Sequence, residues 1–178
     1  MKKLCMILPL ALLLCFMVGC QDKEAMAELE EFKAQAEVEE QNKALVLRVY
    51  EELDKKNFEI LDELAAPDIR LIGIGTFESK TIAEAKPILS MWYGAFPDYT
   101  STIEEVIAKG DKVAVRMTFS GTHEGEFFGV PASGNTMKYG GIHMWEVKDG
   151  KLTGLRVQED LLWLMQQLGV ELKPKEEK

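Results

Sequence analysis

The stretch TSTIEEVIAKGDKVAVRMTFSGTH, residues 100–123, carries the alternation that decides the fold. Side chains in an extended chain point to opposite faces in turn, so Val113 and Val115 share one face while Arg116 lies on the other. The Gly110-Asp111 pair between the two apolar runs is typical of a tight turn. The stretch therefore predicts two long antiparallel strands joined by a hairpin.

A second hairpin of the same kind follows in TMKYGGIHMWEVKDGKLTGLRVQED, residues 136–160, around the turn Asp149-Gly150. Helical patterns come before the strands, and the segment LLWLMQQLGV predicts a closing helix after them. One of the early helices is entered through Thr81 and ends near Gly94. Helices first and a curved sheet after them predict an α+β architecture with helices on one face of the sheet.

Each long strand also has a second face with a few polar or aromatic groups. Tyr139, His143 and Trp145 share a face on one strand, and Arg156 and Asp160 share a face on the last strand. Such faces commonly meet water in antiparallel sheets. Large aromatic side chains and glycines within the strands favour instead a strongly bent sheet whose second faces line a concavity.

The N-terminus has the layout of a secretory signal, with two lysines before a short apolar run. The run ends in Met17-Val18-Gly19-Cys20, which resembles a bacterial lipobox, so we expect residues 1–19 to be removed and Cys20 to carry lipid. An uncut signal anchor is the alternative. The expected location is the bacterial cell envelope, and Gln21 favours the periplasmic side of the outer membrane if the host is Gram-negative.

Charge and cysteine content restrict the function classes. The chain carries 21 basic and 30 acidic residues, a net charge of −9, which disfavours nucleic acid as a partner. Without Cys5 and Cys15, and with Cys20 acylated, the mature chain has no thiol for a disulfide, a metal or nucleophilic catalysis. Residues 20–42 form an acidic segment that predicts a helix, interpreted as a spacer or, less favoured, as a partner-binding helix.

After the acidic segment, the sequence resembles a known family, the SnoaL-like polyketide cyclases, also called ester cyclases. This family belongs to the nuclear transport factor 2-like superfamily. The resemblance covers residues 43–172 and leaves residues 173–178 as a charged tail. It rests on a series of short motifs in the family's order and spacing: Phe96-Pro97-Asp98, Gly110-Asp111-Lys112-Val113, Gly121-Thr122-His123, Gly129-Val130-Pro131 and Gln166-Gln167-Leu168-Gly169. It implies a cone-shaped barrel of curved antiparallel sheet wrapped around the N-terminal helices, one apolar pocket, homodimers, and no cofactor or metal.

The family's acidic residue, which lies deep in the pocket, matches Asp160. A carboxylate there could take a proton from carbon beside a carbonyl. Arg156 stands where the family usually has tryptophan, and an arginine paired with Asp160 would weaken it as a base. Asp160 could equally be the N-cap of the closing helix. His123 is the second catalytic candidate, at the pocket rim, with a solvated turn residue as its alternative.

The remaining candidates are expected to line the pocket and contact ligand. They are Trp92, Tyr93, Phe96, Arg116, Phe127, Tyr139, His143, Trp145 and Arg156. Core packing is the alternative for the aromatic residues and for His143.

Two functions from different classes follow. The preferred prediction is a membrane-anchored domain that binds a small hydrophobic, carbonyl-bearing molecule without converting it. The alternative is a metal-independent cyclase, isomerase or lyase with Asp160 as general acid and base. The Arg156–Asp160 distance would discriminate between the two, because a tight salt bridge weakens the base.

Overall fold

The computed structural model describes residues 4–73 and 77–171, with side chains from residue 23 onward. The chain divides into two compact units, residues 1–38 and residues 39–178. The first helix, α1 (Leu4–Asp54), contributes to both. The predicted lipidation at Cys20 and the charged tail lie outside the described side chains and stay predictions.

In the first unit, the described side chains, residues 23–38, are helical and almost all exposed. Met26, Leu29 and Phe32 are among the exposed apolar residues, and Lys33 forms an ion pair with Glu30 one turn away. Within the part of the chain that the structure describes, no helix combines the length and the hydropathy that crossing a membrane requires.

In the second unit, the helices supply part of the core. The end of α1 buries Val46, Val49 and Tyr50, and the short α2 (Ile60–Leu64) follows it. The third helix, α3 (Ile82–Ala95), begins where the sequence predicts: the Thr81 hydroxyl accepts a hydrogen bond from the backbone N–H of Glu84, which satisfies a free donor of the first turn. The last helix, α4 (Leu161–Gln167), is seven residues long.

Six strands form one sheet in the order β2-β1-β6-β5-β4-β3. Their bounds are β1 Ala65–Ile72, β2 Glu78–Ser79, β3 Thr100–Lys109, β4 Lys112–Thr122, β5 Thr136–Lys148 and β6 Lys151–Glu159. The α+β fold class is confirmed. The sheet is mixed rather than wholly antiparallel, because β1 pairs in parallel with β6, and it stays open between its edge strands β2 and β3.

The register places the apolar side chains of neighbouring strands in rows on one face. Val115 of β4 pairs with His143 of β5, which pairs with Val157 of β6. This face, called the inner face below, carries the core residues Val113, Met117, Phe119 and Trp145. The hairpin β5–β6 turns on Asp149 and Gly150, both with positive φ, as the Asp-Gly pair predicts.

Candidate active site

A cavity of about 690 Å³ opens between the helices and the inner face. Its walls come from α1, α2, α3 and all six strands, and most of its lining is aliphatic or aromatic. Examples are Leu53, Leu61, Leu71, Ile82, Ile88, Leu89, Met91, Trp92, Tyr93, Tyr99, Phe119, Trp145, Leu155 and Val157. The helices cover only part of the inner face, so the uncovered part becomes the cavity. A volume of this size suits a small, largely apolar molecule.

Two carboxylates line this cavity: Glu78, which is partly exposed and paired with Arg70, and the buried Glu159, the last residue of β6. Glu159 shares the inner face with Leu155 and Val157, since side chains two apart point the same way. Its side chain is only 6 % exposed. A carboxyl group buried this far needs hydrogen-bond partners, since burying a charge without compensation is costly.

Space for the Glu159 side chain comes from a glycine on the neighbouring strand. Gly141 lies directly opposite Glu159 in the β5–β6 register. A Cβ atom at Gly141 would lie 2.7 Å from Glu159 Cγ and 3.2 Å from a ring carbon of Phe119. Gly141 therefore permits the close approach that seats the carboxylate against the sheet.

One oxygen of Glu159 ends a chain of hydrogen bonds that runs through three other side chains. The indole N–H of Trp145, which can only donate, donates to the Tyr50 hydroxyl oxygen at 2.7 Å. Tyr50 lies 2.9 Å from His143 Nδ1, and His143 Nε2 lies 2.9 Å from Glu159 Oε1.

These contacts favour one tautomer of His143. Burial raises the pKa of the Tyr50 hydroxyl, so Tyr50 keeps its proton. Because the Tyr50 oxygen accepts from Trp145, its own hydrogen is free to point at His143 Nδ1. In that arrangement the Nε2–H group of His143 donates to Glu159 Oε1.

The second oxygen of Glu159 is held by a pair of tyrosines. Tyr139 donates to Glu159 Oε2 at 3.3 Å, and the Tyr99 and Tyr139 hydroxyl oxygens lie 3.1 Å apart. Burial raises the pKa of both hydroxyls, and the charge of Glu159 adds to the effect. Both tyrosines therefore keep their protons and can donate hydrogen bonds.

This arrangement equips the cavity for proton transfer. Glu159 is an oriented, largely buried carboxylate in a mainly apolar cavity, with His143 at hydrogen-bond distance. Such a pair can accept a proton from a weakly acidic carbon and return it nearby. Among the residues that the structure describes, no group of three or more His, Cys, Asp or Glu side chains is placed to bind a metal ion.

Four of the predicted pocket residues line this cavity: Trp92, Tyr93, His143 and Trp145. Tyr139 contacts Glu159 from behind the wall. Phe96 and Phe127 are completely buried and pack around Trp92, with ring centroids 6.0 and 4.5 Å from it. They support the wall from the core and do not line the cavity.

The prediction that His123 lies at the pocket rim is wrong, because this residue is completely buried outside the cavity. Its ring stacks on Phe96 with centroids 5.3 Å apart, and its Nδ1 accepts a hydrogen bond from the backbone N–H of Ser133 at 3.2 Å. Burial lowers the pKa of His123. His123 therefore fastens the loop between β4 and β5 to the core as a neutral side chain.

The structure also places Asp160, Arg156 and Arg116 outside the cavity. Asp160 is exposed at the N-cap of α4, where its carboxylate accepts from the backbone N–H of Trp163 at 3.0 Å. Arg156 is exposed on the outer face of β6 and forms no ion pair with Asp160. Arg116, on the outer face of β4, forms ion pairs with Glu104 and Glu105. Arg116 and Arg156 alternate with the inward-facing residues of their strands, and Asp160 follows the end of β6, which is the physical reason for the correction.

The family model for SnoaL-like polyketide cyclase matches residues 44–168, a span that contains every cavity residue. The chain belongs to the SnoaL-like polyketide cyclase family. Its family segment includes the β5–β6 hairpin that carries His143 and Glu159. No curated protein is similar enough in sequence to count as a match.

Several solved structures of similar proteins have the same fold. A protein from Jannaschia sp. CCS1 assigned as a SnoaL-like polyketide cyclase is 26 % identical, with a TM-score of 0.71 over 75 % of this chain and 95 % of its own. IdmH of Streptomyces antibioticus, assigned as a polyketide cyclase, is 28 % identical, with a TM-score of 0.65 over 72 % and 99 %. AclR of Streptomyces galilaeus, assigned as a hydroxylase, is 25 % identical, with a TM-score of 0.67 over 74 % and 97 %.

Sequence reasoning did not single out Glu159, Tyr50 or Tyr99 of this SnoaL-like domain. The signal for Glu159 was present, because a carboxylate at the end of the series Leu155, Val157, Glu159 shares the apolar face of its strand. A charged residue in that position is buried, so it needs hydrogen-bond partners, because an unpaired charge in the core is costly. For the tyrosines, sequence alone offers no comparable signal, since a buried tyrosine is common in any core.

Proposed function

We propose that this SnoaL-like domain binds a small, largely apolar carbonyl compound in the cavity and moves a proton at the carbon beside the carbonyl. The single observation that supports this proposal is the Glu159–His143 pair, a carboxylate with both oxygens hydrogen-bonded at the wall of an apolar cavity. The family's name and the solved relatives assigned as polyketide cyclases point to the same class of chemistry.

In the proposed step, Glu159 takes a proton from the carbon adjacent to the carbonyl. The electrons of the broken C–H bond move into the carbonyl group, whose oxygen becomes an enolate. The proton now on Glu159 returns to another carbon in an isomerisation. In a ring closure, the enolate carbon attacks a second carbonyl of the same molecule and the new alkoxide takes up the proton.

The partners of Glu159 have separate tasks in this proposal. His143 holds one carboxylate oxygen and keeps the free lone pairs aimed along a fixed direction, while Tyr139 holds the other oxygen. Substrate orientation in such a site contributes to rate because the reacting atoms already lie in line. Binding without conversion, the other candidate, is supported by the apolar lining alone and needs neither hydrogen-bonded pair.

Proton exchange in deuterated water tests the proposal without knowledge of the natural substrate. The probe is 2-tetralone, a small bicyclic ketone whose hydrogens beside the carbonyl are replaced by deuterium when a base removes them. We expect the wild-type protein to accelerate this exchange, followed by NMR, and Glu159→Gln to lower the rate by about 10²- to 10⁴-fold. Glutamine keeps the size and the hydrogen-bond acceptor but loses the base.

The matched control is Asp160→Asn, at the next position in the chain. Asparagine is also a good N-cap, so α4 should keep its start. We expect Asp160→Asn to exchange at the wild-type rate. Equal exchange by wild type and Glu159→Gln, with 2-tetralone bound by both, would overturn proton transfer and leave the binding function. The lipid anchor on Cys20, the location in the cell envelope and the homodimer remain predictions from the sequence.

A further inference from the structure

Phe128 has an uncommon backbone conformation for its size. It has φ of 46° and the next residue, Gly129, has φ of 79°. Phe127 and Val130 exchange both backbone hydrogen bonds at 2.9 Å, so Phe128 and Gly129 form a closed two-residue turn. Both central residues of such a turn need positive φ, and Asn-Gly is the favoured pair. Phenylalanine at the first central position of the turn is strained.

The turn is held firmly by its surroundings. The backbone N–H groups of Glu124 and Gly125 both donate to the carbonyl oxygen of Ala95, at 2.9 and 3.0 Å. Phe127 is completely buried, and His123 fastens the start of the loop. The strain at Phe128 is therefore imposed by a fixed loop, and a residue better suited to the turn would fit the same place.

The side chain of Phe128 also gains little from the fold. It is 56 % exposed, and its ring meets the edge of Phe127 at a centroid distance of 4.7 Å. Nevertheless it lines the same cavity as Glu159 and His143. A residue that both lines the cavity and faces solvent lies at its opening. The exposed ring thus adds an apolar surface at the mouth of the cavity, at a position where the backbone disfavours it.

We propose that Phe128 is a specificity-determining residue whose ring stacks on a bound ligand at the mouth of the cavity and favours a flat aromatic ring over a puckered aliphatic one. The inference rests on the proposed function, since it needs an apolar ligand in the cavity. Two stacked aromatic rings gain binding free energy beyond what the buried area alone provides. An aliphatic ring of the same size lacks this additional contribution. Backbone strain is often found at ligand-binding positions, and the strained conformation of Phe128 at the mouth of the cavity is consistent with such a position.

The test compares two ligands of the same bicyclic size, aromatic 2-tetralone and aliphatic 2-decalone, by NMR titration of the wild-type protein, Phe128→Asn and Phe128→Leu. For wild type we expect tighter binding of 2-tetralone. In Phe128→Asn the dissociation constant for 2-tetralone should rise about 5- to 10-fold, and the preference for it over 2-decalone should disappear. Phe128→Leu keeps an apolar side chain and should lose the preference while retaining part of the affinity.

A thermal measurement supplies a second, opposite signature. Because asparagine suits the first position of this turn, Phe128→Asn should raise the melting temperature by about 2–5 °C while it weakens binding. Ile107→Thr is the control, since Ile107 is equally exposed, at 58 %, and does not line the cavity. This variant should bind both ligands as wild type does.

The outcomes separate the two proposals. Wild-type binding with an unchanged preference in Phe128→Asn would overturn the role of Phe128 and leave the proposed function intact. Failure of the wild-type protein to bind either ketone would overturn both. A loss of affinity in Phe128→Asn together with a lower melting temperature would mean that Phe128 supports the fold, and would also overturn the inference.

Discussion

Each face of the sheet carries a basic side chain in contact with a carboxylate. The inner pair is His143 with Glu159, and the outer pair is Arg116 with Glu104 and Glu105. The two differ in burial and in their further partners. On the inner face, Glu159 and His143 are 6 % and 12 % exposed and both have further partners. On the outer face, Arg116 is about half exposed and shares Glu104 and Glu105 with solvent. One pair is oriented by the protein and the other largely by water.

The difference follows from which face the helices cover. Water competes with the outer pair and screens its charges, so such a pair contributes little to stability. Around the inner pair, water is largely replaced by fixed hydrogen-bond donors, which makes its geometry specific and its disruption costly. Burial and additional hydrogen-bond partners, rather than the contact between a carboxylate and a basic side chain, therefore distinguish the candidate active site. Substitutions at the inner pair are therefore expected to have the largest effects, and substitutions at the outer pair the smallest.

The largest effect is expected from adjacent glycines that face opposite ways. Gly141→Ala places a methyl group where Glu159 Cγ lies 2.7 Å away, whereas at Gly140 the nearest atom to a new Cβ is a backbone oxygen at 3.8 Å. We expect Gly141→Ala to lower the rate of proton exchange with 2-tetralone by about 100-fold. The new methyl group should displace the Glu159 carboxylate, and a displacement of about 1 Å is sufficient for such a loss in rate. It should also destabilise the fold by about 1–3 kcal/mol.

Gly140→Ala is the matched control, with the same chemical change on the next residue. We expect it to keep the exchange rate and to leave the free energy of unfolding within about 1 kcal/mol of wild type. Denaturant unfolding and the exchange assay measure both quantities. Similar losses in the two variants would mean that the site does not depend on the approach of Glu159 to Gly141.

A smaller effect is expected when the hydrogen-bond chain is cut at a distance from Glu159. Tyr50→Phe removes the donor to His143 Nδ1 and leaves the Trp145 indole N–H without its acceptor. We expect about tenfold slower exchange and a loss of about 1–3 kcal/mol in stability from the unpaired buried group. The ¹⁵N chemical shifts of the His143 ring should change from a proton held on Nε2 to a mixture of both tautomers.

Tyr93→Phe is the control for this prediction. Tyr93 also lines the cavity, and its hydroxyl makes no hydrogen bond to the residues that the structure describes. The same chemical change there should leave the His143 shifts as they are. A tautomer in Tyr50→Phe that matches wild type would show that Glu159, rather than Tyr50, determines where the His143 proton lies.

Much of the fold could be predicted from the sequence because its signals are local. The Asp149-Gly150 turn needs two residues with positive φ, and the Thr81 N-cap needs one hydroxyl at a helix start, so both can be identified from a few neighbouring residues. The aromatic wall of the cavity was partly predictable for a similar reason, since Trp92 and Tyr93 lie at the end of an apolar helix.

The choice between Glu159 and Asp160 could not be made from such local signals. The two carboxylates are adjacent, but β6 ends at Glu159 and Asp160 is the N-cap of α4, whereas the family motif favours Asp160. Which face the helices cover is a tertiary property, and it assigns the cavity to Glu159. The strain at Phe128 was equally hidden, because its φ is imposed by the hydrogen bonds of a fixed turn.

The smallest effect is expected at the outer pair, where Arg116→Ala removes the cation shared by Glu104 and Glu105. An exposed pair contributes at most about 1 kcal/mol, and salt screens it further. We therefore expect a stability change below about 1 kcal/mol that shrinks in 1 M NaCl, and an exchange rate within about twofold of wild type. A loss of exchange comparable with that of Tyr50→Phe would mean that the two faces are coupled through β4, and that the outer pair helps to hold the register on which Glu159 depends.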